Sequence, residues 1–179
     1  MSQHNAPRAV RPVLRSRPFE RQDIAPLLKW FTSDHDVKQW AGPSLSLSNL
    51  ALQLEEILNG ATKWRAFSVF EGEKPDVMGH FQIAFDPLLK MSVLGRVALS
   101  PRVRGAGAGT EFVRLAVKEG FANGAHRLEL RVFTFNVAAI RVYEKVGFVT
   151  EGVFRDASPF GDTFWDVQIM GLLWSNRTD

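Results

Sequence analysis

Val97-Ala98-Leu99-Ser100-Pro101-Arg102-Val103-Arg104-Gly105-Ala106-Gly107-Ala108-Gly109-Thr110 runs from an apolar strand into alternating glycines that open a helix. Physically it reads as an anion cradle. Glycines at 105, 107 and 109 let backbone N–H groups approach a phosphate with no side chain in the way, and the helix N-terminus adds the positive end of its dipole. Arg102 and Arg104 add formal charge. A P-loop would end in Gly-Lys-Ser/Thr, but Gly109 is followed by Thr110 and Glu111, so the phosphate-neutralising lysine is missing. A dinucleotide fingerprint needs a third glycine at position 110, which is Thr, although Glu129 could imitate its ribose-binding acid.

Working outward toward the N-terminus, apolar runs at 64–70, 77–85 and 93–100 are separated by short polar turns, which predicts an antiparallel meander of three strands. Ahead of them, Val13, Leu14 and Phe19 suggest a first strand. Asp23 then reads as an N-cap for a helix with Ile24, Leu27, Leu28 and Phe31 at helical spacing, fading over 32–36. A second helix is expected from a Ser48 cap through Leu50, Leu54 and Leu58 to Asn59-Gly60. Residues 1–12 read as a loose tail.

Toward the C-terminus, Phe112, Val113, Leu115, Ala116 and Val117 form a helical stripe ending at Gly120, and 128–132 is the next strand. Residues 136–146 make another helix, and 148–154 and 164–174 close the chain as strands around the turn at 159–162. The order β-α-α-β-β-β-α-β-α-β-β predicts one α/β (α+β) domain over 13–179. It implies a mixed, largely antiparallel seven-stranded sheet with helices on both faces.

Composition narrows the chemistry. The 179 residues contain no cysteine, which removes disulfides, thiolate metal sites and an acyl-cysteine intermediate together. The four histidines show no metal-ligand spacing, so no metal is expected. The net charge of +3 is spread along the chain, which argues against direct nucleic acid binding, and no apolar run suggests a leader or a membrane span. A cytoplasmic location is the expectation.

A second constellation lies at Asn136-Val137-Ala138-Ala139-Ile140-Arg141-Val142-Tyr143-Glu144-Lys145-Val146-Gly147-Phe148. On a helix, Ala139, Val142, Tyr143 and Val146 share a face, and Tyr143 is the only tyrosine in the chain. Together, the R-G-x-G-x-G turn at 104–109 and the N-x6-Y-x3-G-F run at 136–148 closely resemble the GCN5-related N-acetyltransferase superfamily. Leu14-Arg15, Trp30, the 34–40 segment and 151–156 look like its RimJ/RimL-type branch, which acetylates ribosomal-protein N-termini.

The resemblance implies acetyl-CoA as cofactor and an amine acceptor, either a peptide N-terminus or a small amine. The backbone of Arg104, Gly105, Ala106, Gly107, Ala108 and Gly109 would hold the diphosphate, with Arg102 and Thr110 beside it. Val97, Ala98 and Leu99 would bond the pantetheine arm. The fourth and fifth strands would splay apart to open a cleft, flanked by Asn136 and by the helix carrying Ala139 and Tyr143. Tyr143 would protonate the leaving thiolate, a phenol of pKa about 10 beside a thiol of about 8.5. Arg141 could reach the 3'-phosphate end.

Without cysteine, and without serine in a G-x-S-x-G elbow, the amine must attack directly and something must accept its proton. Members of the family often place a glutamate on the fourth strand, and none stands at 93–98. His80, on the third strand, is one candidate. His35 and Asp36 in the loop between the first two helices, Trp40, and Arg155, Asp156 and Phe160 in the last strand connection are acceptor-pocket candidates. The missing glutamate leaves a non-catalytic CoA-binding module open as an alternative, and the glycine turn leaves a dinucleotide binder. The exposed sheet edges of this fold class suit pairing into a homodimer.

Overall fold

Period-two alternation sorts the strands' side chains onto two faces, and each face meets its own set of helices. A computed structural model describes residues 13–105 and 107–177. Leu14–Pro18 (β1), Trp64–Glu71 (β2), Gly79–Asp86 (β3) and Met91–Leu99 (β4) pair antiparallel in sequence order. Arg127–Phe133 (β5) then lies parallel to β4, and the antiparallel Val149–Phe160 (β6) and Thr163–Leu173 (β7) complete a seven-stranded sheet of order β1-β2-β3-β4-β5-β7-β6. This is the mixed, mostly antiparallel sheet expected from the sequence. The one parallel pair follows from the helical crossover between β4 and β5.

On one face pack the helices Ala108–Phe121 (α4) and Val137–Val146 (α5), covering Phe67, Val69, Phe81, Ile83, Leu94, Leu128 and Leu130. On the other lie Ile24–Leu28 (α1), Asp34–Ala41 (α2) and Leu50–Leu58 (α3), whose Leu27, Val37, Leu50 and Leu54 meet Phe19, Ala66 and Ala98. Fully burying a side chain such as Phe112 or Leu54 stabilises the fold by roughly 1.5–3 kcal/mol. Close packing also selects small residues. A Cβ on Gly79 would stand 2.3 Å from the Phe112 ring, so only glycine lets α4 approach β3 this closely.

The N-terminal half departs from the sequence reading. Asp23 does not cap α1 with its side chain. Its buried carboxylate instead accepts from Arg17 at 2.7 and 2.8 Å, from Ser68 at 2.7 Å and from the Glu20 N–H at 2.9 Å, tying β1 to β2. A third helix, α2, occupies the stretch read as a loop. Ser33 caps it by accepting from the Asp36 N–H, and the Asp36 carboxylate accepts in return from the Ser33 N–H, a reciprocal box. His35 and Asp36 therefore lie on a helix. α3 is capped at Asn49 and not at Ser48, and the Asn49 side chain accepts from the Ser46 N–H. β6 continues through Arg155 and Asp156 to Phe160, which places these residues on a strand and shortens the expected turn. The tail expected at 1–12 lies outside the described residues.

Candidate functional site

The cleft opens where two neighbouring strands stop pairing. β4 and β5 are in register only from Met91 opposite Arg127 to Leu94 opposite Leu130, yet β4 continues to Leu99 and β5 to Phe133. From Gly95 onward β4 thus has an edge that no strand of the sheet covers. A bulge sharpens the divergence. Gln82 faces Gly95 and His80 faces Ala98, so Phe81 stands opposite both Arg96 and Val97, and Arg96 takes a left-handed φ of 49°. The widened gap is a cavity of about 1120 Å³. Val97, Ala98, Leu99, Arg104, Asn136 and Tyr143 line it, together with Trp30, Trp40, Trp64 and Phe154. Gly95 admits the Trp64 indole, whose Cη2 would lie 2.9 Å from any Cβ placed there.

The glycine-rich turn follows the end of β4, where Leu99, Pro101 and Arg104 line this gap while Gly105, Gly107, Ala108 and Gly109 stand off its wall. Gly105 and Gly107 adopt φ of 78° and 80°, a region that L side chains avoid, and a Cβ at either would meet nothing within 4 Å. The glycines answer to backbone conformation and open space, not to crowding by the protein. Among the described residues, no hydrogen bond outside the helix joins the N–H of Arg104, Gly105, Gly107, Ala108 or Gly109 to another group. α4 begins at Ala108, so its first N–H groups have no intrahelical acceptor. Ala106 lies outside the described residues. The Arg104 Nε donates to the Leu99 carbonyl at 3.0 Å, folding its guanidinium back over the end of β4. Arg102 and Thr110 are near the turn but off the cavity wall, as are Ala139 and the exposed Arg141.

Asn136 caps α5, its side-chain oxygen accepting from the Ala139 N–H at 3.3 Å. One heptad on, Tyr143 is buried with its ring edge to Phe148, and it reaches the cavity between β4 and β5. Burial pushes its phenol above the usual value, so the proton stays on at neutral pH.

Of the acceptor-side candidates, Asp36 and Trp40 line the cavity. His35 is exposed on α2, with its ring against Phe160 and Trp165 at 5.3 and 5.2 Å, where it helps hold α2 to the β6–β7 hairpin. Arg155 and Asp156 point away as β6 kinks, Asp156 at φ 50°, and their neighbours Phe154, Ala157 and Ser158 line the cavity instead. His80 is fully buried behind the wall, packed edge-on against Phe19 and Trp40, and is not on the cavity surface. Burial, helped by the charge of Arg96 and opposed by Asp23, brings its pKa down to about 3. Such a ring is neutral at physiological pH and out of reach of an incoming amine. Sequence reasoning passed over Arg96, although it is the one charge in the run Met91–Leu99, and that was the available signal.

The acetyltransferase (GNAT) family profile matches residues 25–148, more than half of the chain. The chain belongs to this family. Among curated relatives it is similar to the probable N-acetyltransferase YjcK of Bacillus subtilis, 37% identical over 70 residues, 38% of this chain and 39% of that protein. It is also similar to the uncharacterized N-acetyltransferase YobR of the same organism, 38% identical over 55 residues, 31% of this chain and 22% of that protein. The match thus spans less than half the length of either relative. Among solved structures, spermidine N-acetyltransferase from Vibrio cholerae, in complex with CoA and spermine, superposes with a TM-score of 0.76 at 20% identity, covering 91% of this chain and 96% of that one. A GNAT-family acetyltransferase from Bacillus anthracis gives 0.73 at 24% identity, covering 93% and 96%. At such identities the likeness is one of fold.

Acetyl-CoA is the acyl donor of the GNAT family, and the residues present fit it. The turn offers open N–H groups beside two positive-φ glycines, and the uncovered edge of β4 offers backbone partners for an extended arm.

Proposed function

We propose that this GNAT protein transfers an acetyl group from acetyl-CoA directly to a primary amine while both are bound. The observation that carries the reading is the position of Tyr143, a buried, protonated phenol on the wall of the gap where β4 leaves β5, across from the uncovered β4 edge. Acetyl-CoA supplies an activated thioester when bound. The turn at 104–109 would hold its diphosphate through backbone N–H groups, and residues 97–99 would orient its arm. Tyr143 holds a proton at its Oη and would give it to the departing sulfur as the C–S bond breaks, while the attacking nitrogen would release its own proton to water as the new C–N bond forms. The tryptophan wall excludes water from the acceptor end. A protein N-terminus, in keeping with the RimJ/RimL resemblance, or a small amine is the acceptor.

The test is free-thiol release from acetyl-CoA with N-terminal peptides, amino acids and polyamines offered in turn. Turnover with any of them is expected, and tight CoA binding with none would leave a CoA-binding module. The dinucleotide reading loses ground for a topological reason. Four consecutive antiparallel strands precede the glycine turn, whereas a dinucleotide fold alternates strand and helix from its start.

A further inference from the structure

Arg96 lines the cavity without a counter-ion among the described residues, and the acids around it are engaged elsewhere. Asp36, on the cavity wall, accepts from the Thr32 N–H and hydroxyl and from the Ser33 N–H. Glu129, on the β5 side, accepts from Arg127 at 3.4 Å and lies 3.9 Å from Arg131. Arg96 Nη1 donates only to Gln82 Oε1, at 3.2 Å, and among the described residues no carboxylate pairs with it.

Behind Arg96 stands a neutral relay that orients the guanidinium and cannot compensate its charge. With the amide oxygen of Gln82 turned to Arg96, its NH₂ turns to His80, 3.0 Å away, and His80 accepts at Nε2 as an uncharged ring. The cation is partly desolvated, and burial depresses its pKa accordingly. Charges so placed are ordinarily paired. A second cation on the wall, Lys63, likewise forms no ion pair among the described residues.

The diphosphate expected at the glycine turn does not reach this point. Arg96 lies three residues before Leu99 on an extended strand, about 10 Å from its end, with the turn farther on. A protonated polyamine brings only donors and like charge. A carboxylate brings only acceptors and the missing negative charge.

Resting on the acetyl-transfer reading above, we infer that the acceptor is an amine bearing a free carboxylate that pairs with Arg96, an amino acid with an apolar or aromatic side chain, and not a polyamine. The side chain lies against Trp30, Trp40 and Trp64.

Thermal shift in saturating CoA tests the inference independently of turnover. L-Phenylalanine and L-tryptophan at millimolar concentrations raise the Tm of the wild type, their carboxamides and spermidine do not, and Arg96→Gln abolishes the shift while Arg96→Lys retains part of it. Equal shifts from acid and carboxamide, no shift from any acid, or a shift undiminished in Arg96→Gln overturns it. If Arg96→Gln does not fold by far-UV circular dichroism, the acid-against-carboxamide comparison in the wild type decides. Thiol release then separates the two readings. Release with carboxamides or spermidine but not with acids keeps acetyl transfer and overturns the carboxylate. Acids that bind without release from any amine keep the carboxylate site and remove acetyl transfer. A preference for succinyl-CoA over acetyl-CoA that vanishes in Arg96→Gln puts the carboxylate on the acyl group and overturns its assignment to the acceptor.

Discussion

Tyr143 and His80 show how burial, the largest cause in both, sends two titratable side chains to different ends. The phenol is pushed up and keeps its proton, as an acid must, whereas the imidazole is pushed down and stays neutral. Tyr143→Phe should lower the rate of thiol release by about 10² to 10⁴ fold with CoA affinity nearly unchanged, because the ring and its packing persist while the proton donor is gone. Steady-state kinetics beside calorimetric CoA binding would show it, and an unaltered rate would remove Tyr143 from the mechanism. Tyr143 could be singled out from sequence because its motif spacing is local. Arg96 could not, because what distinguishes it is that no carboxylate of the neighbouring elements pairs with it among the described residues, and a single strand does not display that.

At the scale of elements, the site depends on two helix starts. Gly107 holds φ 80° immediately before α4, so Gly107→Ala forces a side chain into the left-handed region at a cost of about 1–2 kcal/mol. CoA affinity should fall by roughly 5- to 30-fold, the equivalent of that cost, as read by calorimetry, if the turn opens to avoid the strain. α2 is the other case. Ser33→Ala removes the cap that accepts from the Asp36 N–H and should cost about 1 kcal/mol of stability, measured by urea denaturation. Because α2 carries Trp40 to the cavity wall, acceptor KM should rise more than CoA Kd. This helix escaped the sequence reading because its eight residues carry one buried side chain, Val37, and so present little apolar period.

For the whole molecule, His80 couples folding to pH. Its folded pKa of about 3 lies below the unfolded value of about 6.5, so the unfolded chain takes up the extra proton on acidification. The stability it contributes is complete above pH 6.5 and declines by roughly 1.4 kcal/mol per pH unit as pH falls toward 3. Urea midpoints at pH 7.5 and pH 5 should differ by about 2 kcal/mol in stability, and His80→Gln should flatten that difference. Asp23 acts in a more acid range. Burial opposes its ionisation, but bonds from Arg17, Ser68 and the Glu20 N–H hold its pKa below the usual value, so its contribution is lost only as pH falls below about 4.

The sequence by itself determined the strands, the crossover helix and the glycine-rich and Asn-to-Tyr motifs, since apolar period, turn residues and left-handed glycines are local and act within a few residues. It also excluded cysteine chemistry, which composition alone can do. Only the tertiary structure decided where β4 parts from β5, that the bulge turns Arg96 to the cavity, and that His35, His80, Arg155 and Asp156 stand off its wall. Those outcomes depend on register and on contacts between residues far apart in the chain, such as Asp23 with Ser68 and Gly95 with Trp64, and no local window contains both partners.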